Sequence, residues 1–73
     1  MSKLPVISGK EAIKALLKLG YYVRDRESSH IHLRHSFRQA LTIPDHKEIA
    51  RGTLRAIIRA AGLTVEEFSR LLK

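Results

Sequence analysis

The chain has 73 residues, 44% of them hydrophobic and 29% charged, which predicts a single folded domain over residues 1–73. Fourteen Lys and Arg against seven Asp and Glu give a net charge of +7, so the expected partner is a nucleic acid, an acidic protein or a membrane surface. The absence of cysteine excludes a disulfide scaffold and thiol catalysis, and no apolar run is long enough for a transmembrane helix or a signal-peptide core, so a cytoplasmic protein is expected.

The first predicted element is a helix between Ser8 and Gly20. Ser8 and Glu11 have the spacing of a capping box, in which each side chain binds a free backbone N–H of the other residue. Gly20 stands where a left-handed residue commonly ends a helix. One basic stripe is expected on this helix, because three lysines recur every four residues: Lys10, Lys14 and Lys18.

The middle of the chain changes to a period of two, which predicts short strands over residues 21–24, 29–34 and 39–43. Short joins at residues 25–28 and 35–38 favour antiparallel hairpins and therefore a three-stranded meander. In the second strand Ile31 and Leu33 are expected to face the core. The opposite face then carries His30, His32 and Arg34.

After Pro44 and Asp45, a second helix is predicted to open at Gly52 and Thr53 and to end at Gly62. One side of it is apolar, formed by Leu54, Ile57, Ile58 and Ala61. A second capping box, Thr64 and Glu67, begins a short C-terminal helix. The predicted fold is α+β, in the order α-β-β-β-α plus that short helix. A three-stranded antiparallel sheet has one face under the helices and the other face open.

Four landmarks in this order resemble one family. They are Gly9-Lys10-Glu11 before the first helix, Ser29-His30 at the second strand, Ile43-Pro44-Asp45-His46 after the third strand, and the segment from Arg51 to Leu63. Together they resemble the HicA toxins of bacterial and archaeal toxin–antitoxin pairs, from about Leu4 to Leu71. The resemblance implies a double-stranded-RNA-binding-domain-like fold, ribonuclease activity and a HicB-like antitoxin as partner.

The catalytic histidine of that family lies in a Gly-Ser-His motif, which corresponds here to Ser28-Ser29-His30. The resemblance therefore implies that His30 is catalytic, although spacing alone does not separate it from an ordinary surface histidine. Ser28 departs from the motif, which has glycine at this position. Glycine at a hairpin turn accepts a positive φ more readily than serine does. His46 is interpreted as a turn residue, and His35, in phase with Leu33, as a packing residue at the hairpin end.

These residue types also fit the chemistry of RNA cleavage. RNA supplies its own nucleophile, the 2′-OH, so the enzyme needs a group that transfers a proton near neutral pH and cations that neutralise the phosphate. His30 and His32 could reach one metal ion from a strand, but no carboxylate or cysteine has suitable spacing, so neither a metal nor a cofactor is predicted.

The predicted RNA contacts combine the lysine stripe, polar residues beside His30 and a second basic stripe on the second helix. Free N–H groups at Gly52 and Thr53 add a helix N-terminus that suits phosphate. The side chains assigned to RNA are Lys10, Lys14, Lys18, Ser29, His32, Arg34, Arg51 and Arg55. Phe37, at a hairpin tip, is either exposed by chance or a stacking or docking residue.

The sequence thus predicts a toxin endoribonuclease that cleaves RNA through attack of the 2′-OH, with His30 as general base or acid. Two other hypotheses stay open. One is a non-catalytic RNA-binding module of the same fold. The other is a basic adaptor for an acidic protein, which predicts no salt-sensitive RNA binding. A membrane-surface role is disfavoured because no apolar face is left unused. Cleavage-site preference and a homo-oligomeric state are not decided by the sequence.

Overall fold

The computed structural model describes residues 3–73, so residues 1 and 2 of the predicted domain lie outside the described part. Its elements are α1 (Gly9–Lys18), β1 (Tyr22–Glu27), β2 (His30–Arg34), β3 (Leu41–Pro44), α2 (Arg51–Ala60) and α3 (Val65–Leu71). The three strands form one antiparallel sheet in the order β1-β2-β3, with β2 in the centre. The predicted α+β order, including the short C-terminal helix, is confirmed.

Both predicted capping boxes are present. The Ser8 hydroxyl accepts from the Glu11 N–H at 3.1 Å, and the Glu11 carboxylate accepts from the Ser8 N–H at 3.0 Å. Thr64 and Glu67 repeat this arrangement before α3. The hydrogen bond from the Thr64 backbone N–H stabilises the ionised Glu67 carboxylate and lowers its pKa. These paired groups determine where α1 and α3 begin.

The core lies between one face of the sheet and the helices. Ile31 and Leu33 are buried on that face, as their alternation in β2 predicts. Phe68 of α3 is fully buried and joins α1 and α2 to the same cluster. The helices contribute Ala12, Ala15, Leu16, Leu54, Ile57 and Ile58 to it. Within residues 3–73 no helix is long and apolar enough to cross a membrane.

The strand boundaries differ from the prediction by one to three residues, most at the end of β1 and the start of β3. β1 continues to Glu27, three residues past the predicted end, so only Ser28 and Ser29 connect it to β2. All six residues of β1 are exposed, so charged side chains are tolerated on both faces of this edge strand. A bulge at Arg24 also shifts its register with β2. β3 begins at Leu41 rather than at residue 39, and the Gln39 carbonyl accepts from the Tyr21 hydroxyl instead of joining the sheet.

Gly9 brings the start of α1 into contact with the end of β3. A Cβ atom at this position would lie 2.2 Å from the Pro44 carbonyl oxygen. The Gly9 N–H donates to the His46 carbonyl at 2.9 Å, which ties the two segments together. This close approach places Lys10 at the same end of the sheet as His30, because His30 pairs with Pro44.

Ser28 occupies the left-handed region, with a φ of 58°, and no other non-glycine residue among residues 3–73 has a positive φ. The structure thus shows the conformation for which the family motif has glycine. We expect Ser28→Gly to raise the free energy of unfolding by about 0.5–1 kcal/mol, since relief of the steric cost exceeds the added chain entropy of glycine. Urea unfolding measures the change.

Ser29→Gly is the matched control for this prediction, because Ser29 lies in the same turn without a positive φ. Glycine there adds chain entropy and relieves no steric cost, so stability should fall by about 0.5–1 kcal/mol. Equal effects of the two substitutions would show that the backbone conformation of Ser28 stores no strain.

Candidate functional site

His30 is the first residue of β2 and directly follows the Ser28–Ser29 turn. Its side chain is exposed on the open face of the sheet, opposite in phase to the buried Ile31. Its cross-strand neighbours are Glu27 on β1 and Pro44 on β3. The predicted placement of His30, away from the core, is therefore confirmed, and a ligand on the open face can reach its imidazole.

Arg26 and Asp45 brace the turn that carries His30. The Arg26 guanidinium donates to the Asp45 carboxylate at 2.6 Å and, through Nε, to the Ser28 carbonyl at 3.2 Å. The Asp45 N–H donates to the Ser29 carbonyl at 2.7 Å. The hairpin is thus tied to the end of β3 by one ion pair and one backbone hydrogen bond, while the Arg26–Ser28 hydrogen bond holds the turn to β1. Sequence reasoning missed this brace, because nothing in the spacing of these two residues pairs them.

His32 follows on the same face but is surrounded by different groups. Its Nδ1 lies 3.2 Å from the Thr42 hydroxyl. Its Nε2 lies 3.6 Å from a Glu27 carboxylate oxygen and 3.9 Å from an Asp25 carboxylate oxygen. The Arg24 guanidinium lies 3.6 Å from the Asp25 carboxylate and offsets its charge, so Glu27 is the main group that makes the β1 side of the open face unfavourable for phosphate. The assignment of His32 to RNA binding stays a prediction, and the structure gives its imidazole protein partners.

Arg34 shares the open face with His30 but lies at the far end of β2. Four residues separate them, which corresponds to about 13 Å along a strand. Arg34 pairs with Tyr22 of β1, next to the loop that leads to β3. A ligand that contacts both side chains must therefore extend along the sheet. Ser29, which is half-buried beside His30, stays a predicted contact at the near end.

The lysine stripe is exposed on α1, as predicted, but it is not one surface with His30. An α-helix rises 1.5 Å per residue, so Lys18 lies about 12 Å along the axis from Lys10. Lys10 borders the depression at the His30 end of the sheet, with Asp45, His46 and Lys47. Lys14 and Lys18 instead line a groove between α1 and α3, where the Lys18 ammonium donates to the Lys73 carbonyl.

The second basic stripe lies on α2 and is also exposed; it comprises Arg51, Arg55 and Arg59. Ala50 precedes this helix and has no polar side chain, so no capping side chain binds the first N–H groups of α2. The structure thus distributes the predicted RNA contacts over the open sheet face and two helices. Among residues 3–73 there is no cluster of three or more His, Asp or Glu able to hold a metal ion.

These features define a small basic α+β domain with double-stranded-RNA-binding-domain-like architecture. The family described as HicA toxin of bacterial toxin-antitoxin matches residues 9–63, well over half of the chain. The chain therefore belongs to the HicA toxin family, which confirms the resemblance drawn from its landmarks. Members of this family are toxins of toxin–antitoxin pairs and are generally ribonucleases. None of the curated proteins matches the chain significantly.

Proposed function

We propose that this chain is a toxin endoribonuclease in which His30 assists attack of the RNA 2′-OH on the adjacent phosphate. The observation that carries the proposal is the position of His30. It corresponds to the catalytic histidine of the family motif, and its imidazole is exposed on the open sheet face at the end where Lys10 also lies. A proton-transfer group and a cation thus lie at the same end of the sheet, and we infer that both act on one phosphodiester.

The reaction balances without a cofactor. The 2′-oxygen forms a bond to phosphorus and loses its proton, while the bond from phosphorus to the 5′-oxygen breaks and that oxygen gains a proton. The products are a 2′,3′-cyclic phosphate and a 5′-OH end. His30 takes the first proton as a base or gives the second as an acid, and water completes the other transfer. Cationic side chains, Lys10 first among them, neutralise the charge that develops on the phosphate.

The antitoxin is proposed to be a HicB-like protein that covers His30 with acidic residues. The net charge of +7 and the exposed basic residues at this end of the sheet support an acidic partner surface. Such a complex would block RNA by occupying the same face. The proposed place of action is the cytoplasm, where messenger RNA is available.

One observation favours a second candidate function, a non-catalytic RNA-binding module. The His30 imidazole has no hydrogen-bond partner in the described part of the chain, so no protein group orients its ring. In enzymes a catalytic base is commonly held by a neighbour. In the alternative, His30 contacts only the ribose or phosphate, and RNA is bound without being cleaved.

A cleavage assay on labelled RNA separates the two functions and tests the metal-free chemistry. We expect cleavage to 2′,3′-cyclic phosphate ends at an unchanged rate in EDTA, because the proposed transition state is stabilised by side chains. Binding without cleavage would support the non-catalytic module. Activity lost on chelation and restored by Mg²⁺ or Mn²⁺ would show that the metal-free mechanism is wrong.

The lysine stripe provides a quantitative test of the RNA surface. Replacement of Lys10, Lys14 and Lys18 by Gln is expected to weaken RNA binding while the domain still folds, because all three side chains are exposed. For single-stranded RNA, the negative slope of log K against log salt should become shallower by about 0.7 for each lysine–phosphate ion pair that the substitutions remove. A binding titration at several salt concentrations measures this slope.

The single variants refine the same experiment. Lys10→Gln should account for the largest share of the effect, because Lys10 alone of the three borders the depression at the His30 end. Lys18→Gln is the matched control, since its ammonium binds the Lys73 carbonyl at the far end of α1. An unchanged slope in the triple variant would remove the stripe from the RNA surface and leave it to solvent or the antitoxin.

A further inference from the structure

The loop between β2 and β3 presents an isolated aromatic ring to solvent. Phe37 is 83% exposed, more than any other large hydrophobic residue in the described range. Exposure of this extent is unfavourable for a phenyl ring, because most of its apolar surface stays in water. The ring lies in the loop that follows Arg34, at the end of the sheet opposite His30. It has no part in the cleavage chemistry proposed above.

A chain of contacts holds this loop in place. The Phe37 N–H donates to His35 Nδ1 at 3.2 Å, and His35 Nε2 donates to the Leu19 carbonyl at 3.1 Å. Both bonds are satisfied by a neutral imidazole that carries its proton on Nε2. The predicted packing role of His35 is thereby confirmed. The His35 ring meets the Phe37 ring edge to face, with centroids 4.5 Å apart and an interplanar angle of 82°.

The same contacts reach the core through Tyr21. Its ring centroid lies 4.9 Å from that of His35, and its hydroxyl donates to the Gln39 carbonyl at 2.8 Å. Burial of Tyr21 raises the pKa of its hydroxyl, which therefore stays a hydrogen-bond donor. The Phe37 ring is thus supported by the His35 ring, which in turn packs against Tyr21. Such support lowers the entropic cost when a ligand binds the exposed ring.

One cation lies over the Phe37 ring, and a second precedes the loop in the chain. The Arg38 guanidinium carbon lies 5.9 Å from the Phe37 centroid, and its Nη1 donates to the Ala61 carbonyl at 2.7 Å. Arg34 ends β2 just before the loop and is exposed on the open face. A fixed aromatic ring beside basic side chains is the arrangement with which proteins stack the bases of single-stranded nucleic acid.

We propose that Phe37 is a base-stacking contact for single-stranded RNA, at a site a few nucleotides from the phosphate cleaved at His30. This inference rests on the proposed ribonuclease function and adds the class of its substrate. A base inside a duplex is already stacked on its neighbours, so a protruding phenyl ring selects unpaired RNA. The RNA strand would pass over β2 and β3, because the exposed Glu27 carboxylate repels phosphate from the β1 side.

The surroundings of Phe37 favour RNA over a protein partner. The neighbours of Phe37 in the loop, Ser36, Arg38 and Gln39, are polar, so no large apolar side chain adjoins the ring within the loop. A protein–protein hot spot is typically an aromatic residue in a ring of other contacts that exclude water. Base stacking needs only one free π-face and a nearby cation for the phosphate.

The test measures binding of a fluorescent single-stranded RNA to the full chain carrying His30→Ala, which prevents cleavage. Adding Phe37→Ala is expected to weaken binding about five- to 150-fold. The weakening should be the same at every salt concentration, because no charge is removed. Phe37→Trp should keep or improve affinity, whereas Phe37→Leu should reduce it, since leucine has no π-face. Val6→Ala, at a side chain 72% exposed, is the control and should bind normally.

An abasic scan locates the contact. RNAs that each lack one base are bound to the protein that retains Phe37, and loss of the base should weaken binding at only one or two positions of the RNA. For RNAs that lack the base at those positions, Phe37→Ala should cause no further weakening. Equal affinity with and without the Phe37→Ala substitution would overturn the stacking contact while leaving the ribonuclease proposal intact. Weakened binding of the antitoxin alone would assign the ring to the protein partner and reject stacking. A parent protein that binds no RNA at all would reject both proposals.

Discussion

His30→Ala is expected to abolish RNA cleavage and toxicity while the domain still folds and still binds RNA. Proton transfer by a positioned side chain contributes about 10²–10⁴-fold to a rate, so little activity should remain. The imidazole is exposed on the open face, and its truncation opens no cavity, so stability should change by less than about 1 kcal/mol. Cleavage of labelled RNA, growth on expression and urea unfolding measure the three effects.

Two other histidines provide matched controls. His46 is exposed in the segment after β3, and only its backbone carbonyl has a described contact, so His46→Ala should keep cleavage. His32→Ala should reduce cleavage less than His30→Ala, because the His32 ring is engaged by Thr42 and by carboxylates. A stable His30→Ala protein that cleaves at the normal rate would refute the catalytic assignment, and His46 would be the next candidate. A His30→Ala protein that misfolds would refute the prediction that the His30 side chain points away from the core.

Gly9→Ala is expected to lower the free energy of unfolding by about 1–3 kcal/mol. Its methyl group would lie 2.2 Å from the Pro44 carbonyl oxygen, and both partners are backbone or backbone-attached, so neither can rotate away. The start of α1 must then move away from the end of β3. Because Lys10 moves with it, cleavage should fall even in the fraction that remains folded. Urea unfolding and the cleavage assay under folding conditions separate the two effects.

Gly52→Ala is the matched control, since it also places alanine at a glycine in the first turn of a helix. A Cβ atom at Gly52 has no other atom within 4 Å. Alanine is the better helix former, so this variant should be more stable by up to about 1 kcal/mol. Opposite signs for the two variants would show that the close approach, and not helix propensity, sets the requirement at Gly9. A neutral Gly9→Ala would contradict that approach.

Local signals in the sequence predicted the fold well because each has one dominant physical cause. The two capping boxes, and the glycines that follow α1 and α2, mark helix ends that depend on neighbouring residues only. The alternation in β2 placed Ile31 inside and His30 outside, since the period of a strand is two. The strand limits were less predictable. Asp25 and Glu27 have the composition of a turn, but an edge strand accepts them.

The candidate site was predictable in part for the same reason. The sequence placed His30, His32 and Arg34 on one face, because they belong to one strand. It did not separate Lys10 from Lys18, since their distances from His30 depend on how α1 docks against β3. The Arg26–Asp45 ion pair was hidden for a similar reason. Its partners are 19 residues apart and meet only because β1, β2 and β3 pair into one sheet.

The exposed edge of β1 has a consequence for the protein when it is free of any antitoxin. An unpaired strand edge is a template on which other chains can add strands and aggregate. Here four consecutive charged residues, from Arg24 to Glu27, occupy most of that edge, and the bulge at Arg24 bends its hydrogen-bonding groups out of line. Because these charges and the bulge hinder strand addition at the β1 edge, we expect that the toxin without its antitoxin does not aggregate through this edge at high concentration.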